Sequence, residues 1–238
     1  MSFAKLFNSK EPSCTVMGVL KRERRKEARP GELLDAALDL FVEKGFAATR
    51  VEEVASRAGV SKGTLFLYFQ SKEELLKAVV RENISGRFSE WNAEFLAFEG
   101  STAEMLTHCM NVWWDRVGAS RASGITKLMM SEGKNFPEIA TFYQQEVVEP
   151  GQDLIRRIFQ RGIVRGELRN VDLDYAVYSV IAPMVYLILA KHSPGICPHS
   201  IASVEPKKYI AAQLNTILYG FSSTPPPKVG SPEKNKHA

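Results

Sequence analysis

The chain of 238 residues carries 31 basic and 27 acidic side chains, a formal charge of +4, with 45% hydrophobic and 24% charged residues. That composition fits a globular protein with a sizeable core, and a charge this mild identifies no partner until its distribution along the chain is read. Cys14, Cys109 and Cys197 lie far apart with no CxxC pair, which excludes a disulfide framework and reads as reduced thiols in a cytoplasmic protein.

The first twenty residues lack the apolar run of a secretory signal. Residues 1–16 show no periodicity, and Met17 opens "MGVLKRERRKEARP", so the expectation is a disordered leader or a translation start at Met17. The segment 1–28 is predicted to be a disordered or basic arm. Its "KRERRKEAR" run (Lys21 to Arg29) suits phosphate neutralisation or minor-groove entry as well as it suits a solvated helix opening.

Helical spacing then takes over. Leu33, Leu34, Ala37, Leu38, Phe41 and Val42 form one stripe that ends at Gly45. A second helix is expected at "TRVE", with Thr49 as cap and Glu52 closing a capping box, followed by Val51, Val54, Ala55 and Ala58 facing inward. Ser61 caps a short third helix, and Ser71 with Glu74 opens a long fourth one carrying Leu75, Leu76, Val79 and Val80. Further helices are predicted at about 102–118, 122–132, 137–162, 172–191 and 206–220. Pro150 and Pro183 should kink or split theirs. The tail, 222–238, reads as disordered by its Pro- and Ser-rich composition.

The pattern Val54-Ala55, then Ala58-Gly59-Val60-Ser61, then a short helix is that of a helix-turn-helix. Leu65 and Phe69, four apart, point into the core. Gly63, Thr64, Phe66 and Leu67 are left facing outward, and water gives no reason to expose Phe66 and Leu67 together. A DNA major groove does, because thymine methyls offer apolar contacts and a helix fits its width. Lys62 can read guanine or neutralise a phosphate, while Tyr68 and Lys72 are placed to bond phosphates. Thr49 and Arg50, at the start of the second helix, complete the candidate DNA-binding set.

The stretch "TRVEEVASRAGVSKGTLFLYFQSKEELL" resembles the DNA-binding head of the TetR (tetracycline-repressor) family of transcriptional regulators, over about Gly31 to Val80. Ala55, Gly59-Val60-Ser61, Gly63-Thr64-Leu65, Tyr68-Phe69 and Ser71-Lys72 fall in register; Phe66 stands where the family often has tyrosine. The resemblance implies an all-α protein: an N-terminal three-helix helix-turn-helix head (29–76) and a C-terminal helical ligand-binding and dimerisation domain (77–221). It also implies a homodimer on a palindromic double-stranded DNA operator, released by a small effector.

For that effector, a hydrophobic or aromatic one, the candidate pocket residues are Met105, Trp113, Trp114, Met129, Phe136, Phe142 and Tyr143, with Met110 and Met130 beside them in sequence. Tyr175 to Ala190 is too short for a membrane span and reads as a helix buried on most sides. Its apolar residues cover too much circumference for one neighbour, so Val177, Ile181, Met184, Val185 and Ile188 are assigned to a dimer interface with Leu214, Ile217 and Leu218. An unusually buried monomer core is the competing reading. His192, Cys197 and His199 share one loop but match no zinc spacing, and neither a metal, a cofactor nor a catalytic constellation is expected. The chain thus reads as a ligand-responsive repressor and not an enzyme. The rival readings are a regulator without a small ligand, an activator, or a helical protein-interaction module that does not bind DNA.

Overall fold

The computed structural model of the chain describes residues 15–193 and 204–220, with side chains from residue 30 onward. The expectations for the first fourteen residues, for Cys197 and His199, and for the tail fall outside that range. The described residues are helical, without strands, as the sequence predicts.

Helix α1, Thr15–Lys44, runs straight through the basic segment, so the described part of the predicted arm is helix instead. Its Lys, Arg, Glu and Ala residues are good helix formers and explain the continuation. Pro30 lies within α1. Gly45, at φ +87°, ends the helix in a conformation that favours glycine. Helices α2 (Val51–Arg57) and α3 (Lys62–Tyr68) follow, then α4 (Lys72–Asn83). Leu33, Ala37, Leu40 and Phe41 of α1 pack with Val54 and Ala55 of α2, Leu65 of α3, and Leu75, Leu76, Val79 and Val80 of α4. Leu65 is the one fully buried side chain of α3, worth roughly 1.5–3 kcal/mol of burial, and it sets how that helix docks.

Two caps differ from their expected form. The second helix starts one residue late: Arg50 is its N-cap, and Glu53 accepts from the Arg50 backbone N–H at 3.4 Å. Ser71 accepts from Glu74 N at 3.1 Å, but the Glu74 carboxylate turns to Lys77. Ser61 caps α3 by accepting from Thr64 N at 3.1 Å.

The helix expected from Ser71 carries its four predicted core residues and ends at Asn83. Asn83 Nδ2 donates to Val79 O, Ile84 leaves the helical region (φ −131°, ψ −71°), and a 3₁₀ turn at Ser85–Arg87 leads into α5, Phe88–Ala97. Gly86 permits the turn, since a Cβ there would sit 2.6 Å from Arg81 O. Next come α6 (Thr102–Trp113), a π-helical turn at Trp114–Gly118 and α7 (Ser123–Glu132). The predicted 137–162 helix is divided into α8 (Pro137–Tyr143), a π-turn (Gln144–Val148) and α9 (Glu149–Val164), with Pro150 in the first turn of α9. Pro183, by contrast, lies inside an unbroken α10, Leu173–His192. Helix α11, Pro206–Tyr219, closes the described fold.

Helix α10 is not buried on most sides. Val177, Val180, Met184, Leu187 and Ile188 face the core, while Tyr175, Tyr178, Ala182 and Tyr186 are exposed. By length and composition alone it could cross a membrane, but its inner side packs on α7, α9 and α11.

Candidate nucleic-acid interface and effector cavity

On α3 the inward and outward sets separate cleanly. Leu65 is fully buried, Phe69 packs against the core, and Gly63, Phe66, Leu67 and Tyr68 are exposed, with Leu67 at 84% exposure the extreme case. Thr64 is half-buried beside the Ser61 hydroxyl, 2.9 Å away. Lys62 lies 2.6 Å from Glu52 and 5.7 Å from the Phe66 ring centroid. Exposed ion pairs of this kind contribute little, so a phosphate can replace Glu52 as the partner. Arg50 is exposed at the start of α2.

Two predicted DNA contacts are corrected. Lys72 turns inward: its ammonium donates to Phe46 O (2.7 Å), Thr49 O (3.0 Å) and Ala47 O (3.3 Å) and lies 4.4 Å from the Phe46 ring centroid. An ammonium has three protons, and all three are used. Thr49 is 1% exposed, and its hydroxyl lies 2.7 Å from Gly45 O and 3.2 Å from Leu40 O, so it ties the turn after α1 instead of reaching out. Glu132, at the end of α7, accepts from Phe46 N (3.1 Å) and Ala47 N (2.9 Å). The 45–49 turn under the head is therefore held from both domains.

Between α5, α6, α9 and α10 lies an apolar cavity of about 180 Å³. Among the predicted pocket residues, Trp113 and Tyr143 line it. The other five do not. Met105 is sealed in the core and Trp114 lies tilted beside Trp113, ring centroids 6.5 Å apart. Phe136 meets Phe46 edge-on at 4.8 Å, and Phe142 lies beneath Lys77 and Arg81. Met129 packs against the core outside the lining, and Met130 is 61% exposed. The side chains that sequence reasoning missed include Trp91, Glu94, Cys109, Val147, Val148 and Ile155, while Met110 is present as noted. Nothing in the hydropathy pattern distinguishes these from ordinary core.

Glu94 is the one charged lining residue, with Arg116 and His108 each 3.5 Å from its carboxylate. Tyr143 OH and Thr126 Oγ1 share a hydrogen bond of 3.0 Å, and burial raises the Tyr143 phenol above its ordinary range. Burial, with a smaller contribution from Glu94, pushes the Cys109 thiol up to about 11. Thiolate is the reactive form, so alkylation of Cys109 by iodoacetamide at pH 8, followed by peptide mass mapping, is expected to run at least ~10-fold slower than for a free thiol. A rate equal to that of free cysteine would contradict the half-buried placement beside the cavity.

The predicted dimer residues are also redistributed. Val177, Met184, Ile188 and Leu214 are buried within the protomer, and Ile181, Met184, Val185 and Ile188 line the cavity. Ile217 and Leu218 are partly buried against the core. All eight are at least half-buried within one subunit, Ile181, Val185, Ile217 and Leu218 only partly so. The exposed stripe runs instead along Tyr175, Tyr178, Ala182 and Tyr186 of α10 and Ala211, Asn215 and Tyr219 of α11.

An all-helical chain that presents an apolar recognition helix at one end and encloses an apolar cavity at the other has the build of a helix-turn-helix regulator. Residues 33–79 match the description "Bacterial regulatory proteins, tetR family", and residues 98–196 match "Tetracyclin repressor-like, C-terminal domain". The "Fatty acid metabolism regulator protein" of Bacillus subtilis is 34% identical over 147 residues, 61% of this chain and 74% of that protein. The "HTH-type transcriptional repressor KstR2" of Mycolicibacterium smegmatis is 27% identical over 195 residues, 80% of this chain and 91% of that protein. The crystal structure of FadR from Bacillus subtilis in complex with stearoyl-CoA shares the fold at a TM-score of 0.59 and 17% identity, covering 80% of this chain and 98% of that one. The chain belongs to the tetR family of bacterial regulatory proteins: it is a DNA-binding transcriptional regulator.

Proposed function

We propose that the protein is a homodimeric repressor that leaves a palindromic operator when a hydrophobic effector enters the cavity. The observation that carries this reading is that α4 belongs to both ends: Lys72 at its start holds the turn beneath the head, and Ile84 just past its end lines the cavity. The exposed tyrosine stripe on α10 supplies a face that a second copy would cover, and an isologous pairing there would present two heads to successive major grooves, roughly 34–36 Å apart. Arg50, Lys62, Gly63, Thr64, Phe66, Leu67 and Tyr68 are the contacts assigned to each half-site. The lining of the cavity is apolar but for Glu94, Gln152 and the Thr126–Tyr143 pair. With one relative named for fatty acid metabolism and a solved neighbour holding stearoyl-CoA, a long-chain acyl compound is the first effector to test.

The test selects an operator from random duplexes and follows binding by fluorescence anisotropy. Affinity is expected to fall by about 10³-fold or more between ~50 and ~200 mM salt, and stearoyl-CoA is expected to weaken binding at least ~10-fold, as an effector that prefers the unbound arrangement must. Binding indifferent to salt would count against the DNA reading. Indifference to every acyl compound, with DNA binding intact, would count against the effector alone.

A further inference from the structure

The cavity is small for its proposed task. At about 180 Å³ it exceeds an engineered cavity of ~150 Å³ that holds benzene, yet falls short of the ~300–1,000 Å³ of ordinary ligand sites. A long-chain effector held wholly within it must therefore move a wall. The buried stripes of α6, α9 and α10 resist this; α5, with only Trp91 buried, is freer, but its side chains bond to Arg116 and Arg157 and not to the head, which leaves the two π-helical turns that border the cavity. The turn Trp114–Gly118 is clamped, because Lys191 Nζ donates to the carbonyls of Gly118, Ala119 and Ser120 at 3.0, 2.7 and 2.7 Å. The turn Gln144–Val148 has no such lysine on its carbonyls among the described residues, and π-turns are rare departures from the more stable α form, often found at functional sites.

That second turn is two-sided. Val147 and Val148 line the cavity. Glu146, between them and Tyr143, reaches out to α4: its carboxylate takes Arg81 Nη2 at 2.5 Å and Arg81 Nε at 2.9 Å, with Ser85 Oγ at 3.4 Å. Phe142, one residue before Tyr143, lies 5.0 Å from the Arg81 guanidinium. Arg81 is in the last turn of α4, and Lys72 at the other end holds the 46–49 backbone. A shift at Arg81 thus travels about 14 Å of rigid helix to Lys72 at the base of the head. Other ties to the head come from Glu132 at the end of α7, from Arg121 just before that helix and from Phe136 against Phe46; none of these three side chains lines the cavity, which α7 meets only at Thr126.

We propose that the π-turn Gln144–Val148 is the element that reports cavity occupancy to the DNA-binding head: filling the cavity displaces Val147 and Val148, and the Glu146–Arg81 pair passes that displacement to α4. This assignment rests on the effector reading given above for where the ligand sits. The pair is a bidentate but exposed contact, so its removal should leave the fold intact.

Glu146→Gln, in the full-length protein, is expected to bind stearoyl-CoA within twofold of the unaltered chain by calorimetry, yet to need about tenfold more of it for operator release. Release at an unchanged concentration overturns the proposal. A ligand-free arm separates it from the effector reading. Val148→Trp presses on the same turn from inside and is expected to weaken operator binding about tenfold, an effect that Glu146→Gln in the same chain should abolish. Cys109→Phe fills the cavity from α6 and provides the same readout if the tryptophan variant fails to fold. If these variants weaken DNA binding while no acyl compound binds, the effector is wrong and the coupling stands. If filling the cavity leaves operator affinity unchanged, the coupling is wrong.

Discussion

Lys72→Ala is expected to lower the stability of the head by about 2–3 kcal/mol, with the slope of operator affinity against salt unchanged. The three carbonyls that its ammonium serves are partly exposed and can take up water, so the loss is well below three full charge-assisted hydrogen bonds. The contact with Phe46 adds about 1 kcal/mol at most. Thermal denaturation should show the transition falling by roughly 5–10 °C. A phosphate contact would give the opposite pair of results: an unaltered transition and a salt slope reduced by about 1. Lys62→Ala, at an exposed position beside the recognition face, is the comparison expected to behave that way.

Ala182→Arg is expected to separate the proposed dimer and to weaken operator binding at least ~100-fold. Ala182 is exposed in the protomer and lies between Tyr178 and Tyr186 along one side of α10, so an arginine there disturbs no contact within the subunit. In a twofold interface the same charge enters twice, buried and unpaired, at a cost of about 3–5 kcal/mol or more. Two heads that no longer share a body bind their half-sites independently, and the gain from linkage is lost. Sedimentation equilibrium should report a monomer with unchanged circular dichroism. A dimer of undiminished strength would remove α10 from the interface.

The helices were legible because the information for them is local. Ser61 and Ser71 are good N-caps wherever they stand before a helical run, and Gly45 and Gly59 supply the positive φ that stops one. The outward set on α3 followed from spacing alone, since Leu65 and Phe69 fix which side is in. The break after Asn83 was less visible. Its causes are a side chain bonding back to Val79 and a glycine admitted over Arg81 O, and neither alters the apolar periodicity.

The sites were harder to read because apolar side chains look alike until their neighbours are known. Met105, Phe136 and Phe142 have the composition of a pocket, yet one is sealed in the core, one packs on Phe46 and one supports Arg81. Lys72 illustrates the same limit for charge. A lysine at a helix start looks like a phosphate ligand, and only the approach of the 45–49 turn turns its three protons inward.

The sequence by itself determined the helical class, most helix limits, the helix-turn-helix and its exposed face, because periodicity, caps and turn glycines act over a few residues. Only the tertiary structure decided which side of α10 is exposed, which side chains line the cavity, and that a π-turn ties that cavity to α4. Those depend on where helices distant in sequence cross, which no short window of sequence contains.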